Sequence, residues 1–245
     1  MLIRSTTNGT YECITQEHHA LLSGVLAGAW LPTRLPALLV QAIGLHDNPW
    51  RAVDADPIFD SEAGLPHDFL HYPKAEKIAF YRSGIDELEE VHPYIAYVVS
   101  RHYTTFAGTR DATTLTEPEA ERRERLAEQI RDQLIDEADV ALEWVKFFDI
   151  LSLYVCLAGP KSVDATIPAW LADPTDWGVA PDETEIALEW KDDQTLAVDP
   201  WPFLRPELRF ELYGRRLAQT FDDAEAMQEA WGQAETVVRP IQFVR

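Results

Sequence analysis

The sequence predicts a mainly α-helical fold with a small antiparallel β-sheet formed by the N- and C-terminal strands. Apolar residues recur at helical spacing through much of 15–158, and β-prone segments lie at the two ends of the chain. The 245 residues, 46% of them hydrophobic, are enough to form one globular domain. We therefore expect a single domain over 1–245, with a helical core at 15–158 and a peripheral β-rich part made of 1–14 and 185–245.

A β-hairpin and a helix are predicted first. The turn-prone Thr7-Asn8-Gly9 separates two short β-prone segments within residues 1–14, which indicates a pair of strands. Thr15 has a side chain suited to cap a helix, and the apolar spacing that follows it continues until Pro32. The first helix is therefore expected between these two residues.

A second helix and a long loop come next. Apolar residues predict a helix from about 35 to 45. We expect it to end near the pair His46-Asp47, because Pro49 biases the residue before it away from helical backbone. No period holds from 48 to 73, and a loop of this length in a compact domain is typical of a lid or a binding segment.

Further helices and strands are predicted along the rest of the chain. Helices are expected at 75–91, at 93–107, and over 117–158 as one long or two consecutive helices. Residues 159–184 are rich in Pro and Asp and favour a loop. The β-prone segments beyond this loop lie at 186–190, 195–198, 208–213 and 237–243, and a helix near 224–231 is compatible with the pattern.

Charge and composition exclude several classes of function. The 42 acidic and 21 basic residues leave a formal net charge of -21, so we expect no extended nucleic-acid partner and no membrane partner. The same excess fits both adaptation to high salt and an ordinary acidic protein. Cys13 and Cys156 are too few for a disulfide framework or a thiolate zinc site, and we expect both to be reduced. An export signal and a membrane-length apolar run are both missing from the sequence, which favours a cytoplasmic location.

The histidines and one buried-looking aspartate carry most of the chemical information. None of the seven histidines follows His102. Asp149 lies among Phe147, Phe148 and Ile150, and a carboxylate in such surroundings needs a compensating partner. Asp149 either binds a metal ion, lies on the solvent-facing edge of its helix, or pairs with an arginine such as Arg101 or Arg82, and the sequence leaves these alternatives open.

Several of the histidines are ambiguous by spacing alone. On a helix His18 and His19 point about 100° apart, so only one of them can share a face with other ligands. His67 and His71 have the i, i+4 spacing of two ligands, but flanking prolines leave room for barely two turns. The pair His46-Asp47 is equally compatible with a histidine that interacts with a helix C-terminus.

The order of histidines and aspartates along the chain forms a recognisable pattern. His19 is on one predicted helix, His46-Asp47 ends the next, and Asp149 lies on a later one. This order resembles that of the HD-domain metal-dependent phosphohydrolase superfamily. The resemblance implies an HD-domain-like helical core in which His19, His46, Asp47 and Asp149 bind a divalent metal ion, Mn, Fe, Mg, Ni or Zn. It also implies that histidines in the interval of His92 and His102 bind a second metal or contact the phosphate. These two lie about 15 Å apart if they share one helix, so they cannot bind one ion together but are compatible with positions that flank a site.

Motifs spread over nearly the whole chain form a second pattern. They are Glu17-His18-His19-Ala20-x-x-Ser23-Gly24, Leu45-His46-Asp47, Tyr81-Arg82-x-Gly84-Ile85, Ser100-x-His102, Phe148-Asp149-Ile150-Leu151-Ser152-Leu153 and Asp199-Pro200-Trp201-Pro202-Phe203. Together they resemble an uncharacterised family, the domain of unknown function three-eight-nine-one. The resemblance implies that His19, and not His18, is the first ligand. Asn48-Pro49 departs from the Asp-Gly expected after the HD pair.

The sequence thus favours a divalent-metal-dependent phosphohydrolase of the HD-domain type, acting on a small phosphate ester or nucleotide. The expected catalytic residues are Asp47, His102 and Arg82. The expected substrate-binding residues are Arg82, Arg101 and His92, with Arg51 a further candidate for the phosphate oxygens.

Other functions remain open on the sequence. Trp50 stands one turn after Asp47, where a general-acid glutamate would be expected. A metal- or ligand-binding module without turnover is therefore an alternative. A structural or interaction protein, with a partner surface near Trp170, Trp177 and Trp201, is another. Homodimer formation is a further expectation that the sequence leaves open.

Overall fold

The computed structural model describes residues 1–163 and 167–245, with 50% of the chain in helices and 20% in strands. The helices are α1 (Gln16–Ala29), α2 (Ala37–Leu45), α3 (Arg51–Ala55), α4 (Lys74–Val91), α5 (Pro93–Thr104), α6 (Glu117–Ala127), α7 (Asp132–Asp136), α8 (Ala138–Leu157), α9 (Ala169–Ala172) and α10 (Ala224–Gln233). The strands are β1 (Leu2–Ser5), β2 (Tyr11–Ile14), β3 (Phe59–Asp60), β4 (Leu65–Pro66), β5 (Ala187–Trp190), β6 (Thr195–Asp199), β7 (Leu208–Leu217) and β8 (Glu235–Val244).

The strands form a sheet that corrects the predicted fold class. The expectation of a mainly α-helical protein with a small antiparallel sheet is wrong, because a curled, mixed sheet of six strands forms a half-barrel. The strand order is β1-β2-β7-β8-β6-β5. All neighbours are antiparallel except β6 and β8, which pair in parallel, with Leu196 opposite Phe243. Local β-prone patterns reveal the strands, but they do not reveal which distant strand each one pairs with.

Two long strands hold the sheet together. β7 and β8 are ten residues each and pair over most of their length, from Leu208 opposite Phe243 to Arg216 opposite Glu235. The terminal hairpin β1–β2 adds to one side of this pair through β2, and the hairpin β5–β6 adds to the other through β6. The sheet therefore draws on both ends of the chain.

The helices α1, α2, α5 and α8 contact one another and position the candidate site. Thr15 caps α1 by accepting a hydrogen bond from the backbone N–H of His18 at 3.2 Å. Leu22 and Leu26 lie one helical turn apart on the same side of α1 and are fully buried, as is Phe148 of α8. These residues belong to a hydrophobic core that also includes Phe243 of the sheet.

The segment from 48 to 73, predicted as an aperiodic loop, contains short elements. A 3-10 turn at Asn48–Trp50 leads into α3, and β3 pairs with β4. The predicted helical stretch 117–158 is divided among α6, α7 and α8. Cys13 and Cys156 are both free and buried, and burial raises the pKa of each thiol to about 12. Across the described residues, every helix is too short or too polar to cross a bilayer.

Candidate metal centre

Buried histidine and aspartate side chains converge where α1, α2, α5 and α8 meet. His19 lies in the first turn of α1, His46 follows the last residue of α2, and Asp47 comes next. His102 lies in the last turn of α5 and Asp149 in the second half of α8. All of these residues are at most 9% exposed, so the cluster is enclosed by protein.

Several distances within this metal cluster, which consists of His19, His46, Asp47, His102 and Asp149, are those expected between two ligands of one cation. His19 Nε2 lies 2.9 Å from Asp47 Oδ2 and 3.8 Å from Asp149 Oδ1. His46 Nε2 lies 3.4 Å from Asp149 Oδ1, and His102 Nε2 lies 3.6 Å from Asp149 Oδ2. An ion about 2.0–2.2 Å from each ligand requires ligand atoms separated by roughly 3–4.4 Å.

Two overlapping groups within the metal cluster could each hold a metal ion. One consists of His19, His46 and Asp47, and the other of His46, His102 and Asp149. Within each group the ligand atoms lie within 4.8 Å of one another. His46 belongs to both groups.

The ring of His46 provides an independent test of whether a cation fits. Its Nδ1 donates to the carbonyl of Ile43 at 2.7 Å, so Nε2 of the neutral ring carries a lone pair. Nε2 is buried and has no hydrogen-bond partner among the described residues. Because it faces Asp47 and Asp149, this lone pair would repel the carboxylates, and either a proton on Nε2 or a cation held between these groups removes the repulsion.

Two serines fix the orientation of His19. Ser152 Oγ lies 2.7 Å from His19 Nδ1 and donates its own proton to the carbonyl of Asp149 at 2.9 Å. It therefore accepts the Nδ1 proton of His19. Ser23 Oγ in turn donates to Ser152 Oγ at 2.8 Å. This arrangement leaves Nε2 of His19 as the ligand atom.

Charge interactions within the metal cluster shift the pKa values of its members. Burial by itself would lower the pKa of His46, but the attraction of Asp47 and Asp149 raises it to about 9. Burial lowers the pKa of His102 to about 4. Burial raises the pKa of Asp47 and Asp149, but the neighbouring histidines lower both by more, so both carboxylates stay ionised.

The metal cluster opens onto a cavity of about 620 Å³. Asp47, His102 and Asp149 line this cavity, together with many apolar side chains and with Lys74, Lys77 and Lys146. Tyr103 also lines it and donates a hydrogen bond to Asp47 Oδ1 at 3.1 Å. An anionic ligand in the cavity would therefore meet both the metal cluster and positively charged side chains.

The three lysines of the cavity differ in how far they are already paired. Lys74 lies 2.7 Å from Asp111, and Lys146 lies 2.8 Å from Glu143. Lys77 donates to the carbonyl of Phe69 at 2.7 Å, but no carboxylate of the described residues lies within 4 Å of it. Partial burial lowers the pKa of Lys77, and its Nζ lies 5.7 Å from the centroid of the Trp50 ring. Because no carboxylate of the described residues neutralises it, the charge of Lys77 is the most available of the three for a ligand.

A comparison with family models adds to this geometry. The family described as "Protein of unknown function (DUF3891)" matches residues 1–219. The chain belongs to the DUF3891 family. The matched region of the DUF3891 chain contains the whole metal cluster and ends before α10 and β8. No curated protein and no solved structure matches it.

The structure of the DUF3891 chain brings only some of the predicted site residues together. His19, His46, Asp47 and Asp149, predicted as metal ligands, lie in the metal cluster, and His102 lies there with them. The predicted substrate-binding residues lie elsewhere. Arg82 is exposed, Arg101 pairs with Asp139, and His92 caps α5 by accepting from the N–H of Tyr94 at 3.0 Å.

The remaining candidates also lie outside the cavity of the DUF3891 chain. Arg51 is exposed and lies 3.7 Å from Glu17. His18 contacts the backbone of Tyr213. His67 and His71 have Asp60 and Asp68 as their respective neighbours.

Ser23 and Ser152 stand in the sequence motifs, but their roles as supports of the histidine ligand, like the positions of Tyr103 and Lys77, were not predicted. Ser23 follows His19 by four residues and Ser152 follows Asp149 by three, so helical spacing places each serine on the same face as its neighbour. That spacing could have predicted the two serines as neighbours of the ligands. No local pattern predicts the positions of Tyr103 and Lys77, because these depend on how α5 packs against α2 and how α4 packs against the turn Asn48–Trp50.

Proposed function

We propose that this protein is a divalent-metal-dependent phosphohydrolase of the HD-domain type, acting on a small phosphate ester or nucleotide. The observation that carries the proposal is the convergence of His19, His46, Asp47 and Asp149 beside a cavity. The order of these residues along the chain, which resembles that of the HD-domain superfamily, supports it. Nitrogen and carboxylate ligands of this kind suit Mn, Fe, Mg, Ni or Zn.

Each residue around the proposed metal has a physical role. A divalent ion bound there would lower the pKa of a water molecule and offset negative charge on a phosphoryl group. Ser152 holds His19 in the tautomer that presents Nε2, and Tyr103 restrains Asp47 through its hydrogen bond. His102 lies beside Asp149 on the cavity surface, where its pKa favours a neutral ring that can interact with water or phosphate.

The phosphate of the substrate needs a cationic side chain as well. Arg82 and Arg101 do not line the cavity, so we assign this role to Lys77. Its ammonium group is held by the carbonyl of Phe69 and faces no carboxylate within 4 Å among the described residues. Desolvated positive charge of this kind binds a phosphate oxygen strongly.

The test measures metal content and phosphoester hydrolysis in the same preparation. Protein purified without chelator should contain a divalent metal and should hydrolyse at least one member of a phosphomonoester panel that includes nucleotides. Asp149→Asn should lower both metal affinity and kcat/KM by at least about a hundredfold, because a charged ligand is lost. Asp139→Asn is the matched control, since Asp139 is exposed on the same helix, and it should leave both values unchanged.

Two results would contradict the proposal. The first is a protein that binds none of the five metals. The second is a metal-loaded protein that hydrolyses no ester of the panel under any of the five metals.

One observation favours a second candidate, a metal-binding module without turnover. Asp47 and Asp149 belong to the metal cluster, and the remaining carboxylate that lines the cavity, Asp111, is paired with Lys74. Among the described residues, then, no carboxylic acid of the cavity is free to protonate a leaving group. Tight metal binding by wild-type protein, lost in Asp149→Asn and accompanied by no hydrolysis, would support this candidate.

A further inference from the structure

The walls of the cavity are chemically different from the metal cluster. Most of the residues that line it are apolar or aromatic, among them Phe69, Leu70, Ile78, Phe106, Leu153 and Trp170. They come from the segment before α4, from α4 itself, from the segment that follows α5, from α8 and from α9. Five separate segments of the chain thus contribute apolar surface to one cavity.

Three of these wall residues are unusually exposed. Leu70 is 44% exposed, Phe106 is 59% exposed and Trp170 is 47% exposed. Large apolar side chains that stay in contact with water and gather around one opening mark a surface that binds an apolar group.

Several polar side chains of the cavity are already hydrogen-bonded or ion-paired within the protein. Thr105 donates to the carbonyl of His102 at 2.6 Å. Asp111 accepts from the N–H of Gly108 at 2.6 Å and pairs with Lys74. Lys146 pairs with Glu143. These groups are already committed within the protein.

Other polar groups of the cavity remain available to a ligand, among them Lys77, Gln16 and the hydroxyls of Tyr72 and Tyr81, which make no hydrogen bond within the described residues. Lys77 has no carboxylate partner among the described residues. Gln16 is 2% exposed, lines the cavity one turn before His19, and its side-chain oxygen has no hydrogen-bond partner among the described residues. A phosphate oxygen would accept from Lys77, whereas Gln16 Oε1 is an acceptor and needs a donor, such as a protonated phosphate oxygen. The hydroxyls of a ribose and the edge of a base would be costly to bury wherever they meet the apolar walls and not these polar groups.

We infer that the substrate is a phosphate monoester of an apolar alcohol, bound with its phosphate between the metal cluster and Lys77 and its hydrocarbon or aromatic group against the apolar walls. This inference rests on the proposed phosphohydrolase function and narrows its substrate class. In the reaction, the oxygen of water forms a bond to phosphorus and the bond from phosphorus to the ester oxygen breaks. The ester oxygen leaves with the electron pair and takes up a proton, so the products are the alcohol and inorganic phosphate.

The test compares two esters whose leaving groups are both primary alcohols, 2-(1-naphthyl)ethyl phosphate and AMP. With the manganese-loaded full chain, kcat/KM for the naphthylethyl ester should exceed that for AMP by at least about tenfold, because its ring system buries apolar surface that a ribose does not. Equal values, or a higher value for AMP, would overturn the inference.

A double variant tests the walls directly. Leu70→Ala, Trp170→Ala removes two exposed wall residues that come from segments other than those that carry the metal cluster. It should lower kcat/KM for the naphthylethyl ester about tenfold and for AMP less than about twofold. Leu31→Ala, Leu204→Ala is the control, since both leucines are exposed and neither lines the cavity. An equal loss for both esters in the wall variant would count against the inference.

A binding measurement separates this inference from the proposed function. Calorimetry on the manganese-loaded protein would use 3-(1-naphthyl)propylphosphonate, in which a methylene group replaces the ester oxygen, and the corresponding phosphonate of AMP. Tighter binding of the naphthyl compound without hydrolysis of either ester would refute the proposed function and retain the preference for an apolar ligand. Hydrolysis of both esters without any preference would retain the proposed function and refute the inference.

Discussion

At the residue scale, the adjacent pair His46-Asp47 places two ligands in one cluster. Successive residues of a regular helix point about 100° apart and would diverge. His46 keeps helical backbone angles, φ -58° and ψ -32°, whereas Asp47 leaves them, with φ -108° and ψ 17°. The change of direction comes where α2 gives way to the 3-10 turn that contains Pro49. The proline that ends the helix thus helps to aim both side chains at the same point.

The hydroxyl of Ser152 fixes the orientation of His19, so its removal should weaken metal binding. Ser152→Ala deletes the acceptor of the Nδ1 proton and should lower metal affinity about 10- to 100-fold, because supporting hydrogen bonds fix the ligand ring. Titration of the metal-free protein with Mn²⁺ would measure the change.

Ser162→Ala is the control for this experiment. Ser162 is also a buried serine, 5% exposed, but its hydroxyl donates to the carbonyl of Gly159 and lies outside the metal cluster. Its metal affinity should equal that of the wild type. If Ser152→Ala bound metal as tightly as this control, the hydrogen bond to His19 would have no part in the site.

At the element scale, the metal cluster depends on how closely α1 and α2 approach each other. They cross at two glycines, and a Cβ atom built on Gly24 would lie only 2.8 Å from the Cα of Gly44. That separation is too short for two carbon atoms, so a side chain at Gly24 would force the helices apart. Because α1 carries His19 and α2 leads into His46, this contact sets the distance between the two ligands.

Gly24→Ala should therefore destabilise the protein by about 1–3 kcal/mol, as expected for overpacking in a close helix contact. It should also weaken metal binding. Urea unfolding followed by circular dichroism would measure the stability, and an Mn²⁺ titration the affinity.

Gly28→Ala is the matched control on the same helix. A Cβ atom there would lie 3.5 Å from a methyl group of Val40, which is an ordinary contact. Alanine is also favoured over glycine within a helix by up to about 1 kcal/mol. The control should be as stable as the wild type or more stable, and an equal loss in both variants would exclude the close helix contact as the cause.

At the scale of the whole molecule, the formal charge of -21 opposes the compact state. Some acidic side chains have local partners: Glu89, for example, pairs with Arg122 and Arg125, and its pKa is lowered by Arg125 first and then by Arg122. The excess of carboxylates over basic residues nevertheless leaves a net repulsion. At 0.1 M ionic strength, salt largely screens the repulsion between exposed charges that are more than about 10 Å apart.

Raising NaCl from 0.02 to 0.5 M should therefore stabilise the protein by about 1 kcal/mol, which corresponds to a rise in Tm of about 2–4 °C for a chain of this size. Differential scanning calorimetry on the metal-free protein would measure it without interference from metal binding. A fall in Tm over the same range would mean that attractive ion pairs outweigh the general repulsion.

Local sequence patterns were enough to predict the first helices and the order of the ligands along the chain. Thr15, Pro32 and Pro49 act on the backbone within a few residues of themselves, so the approximate bounds of the first two helices could be predicted, as could the separate β-prone segments. Long-range packing is what pairs β6 in parallel with β8, brings Arg101 to Asp139 and places Lys77 at the cavity. These contacts are between residues far apart in the chain. They depend on how the whole core packs, because a local sequence pattern does not specify which distant strand or side chain a residue will contact.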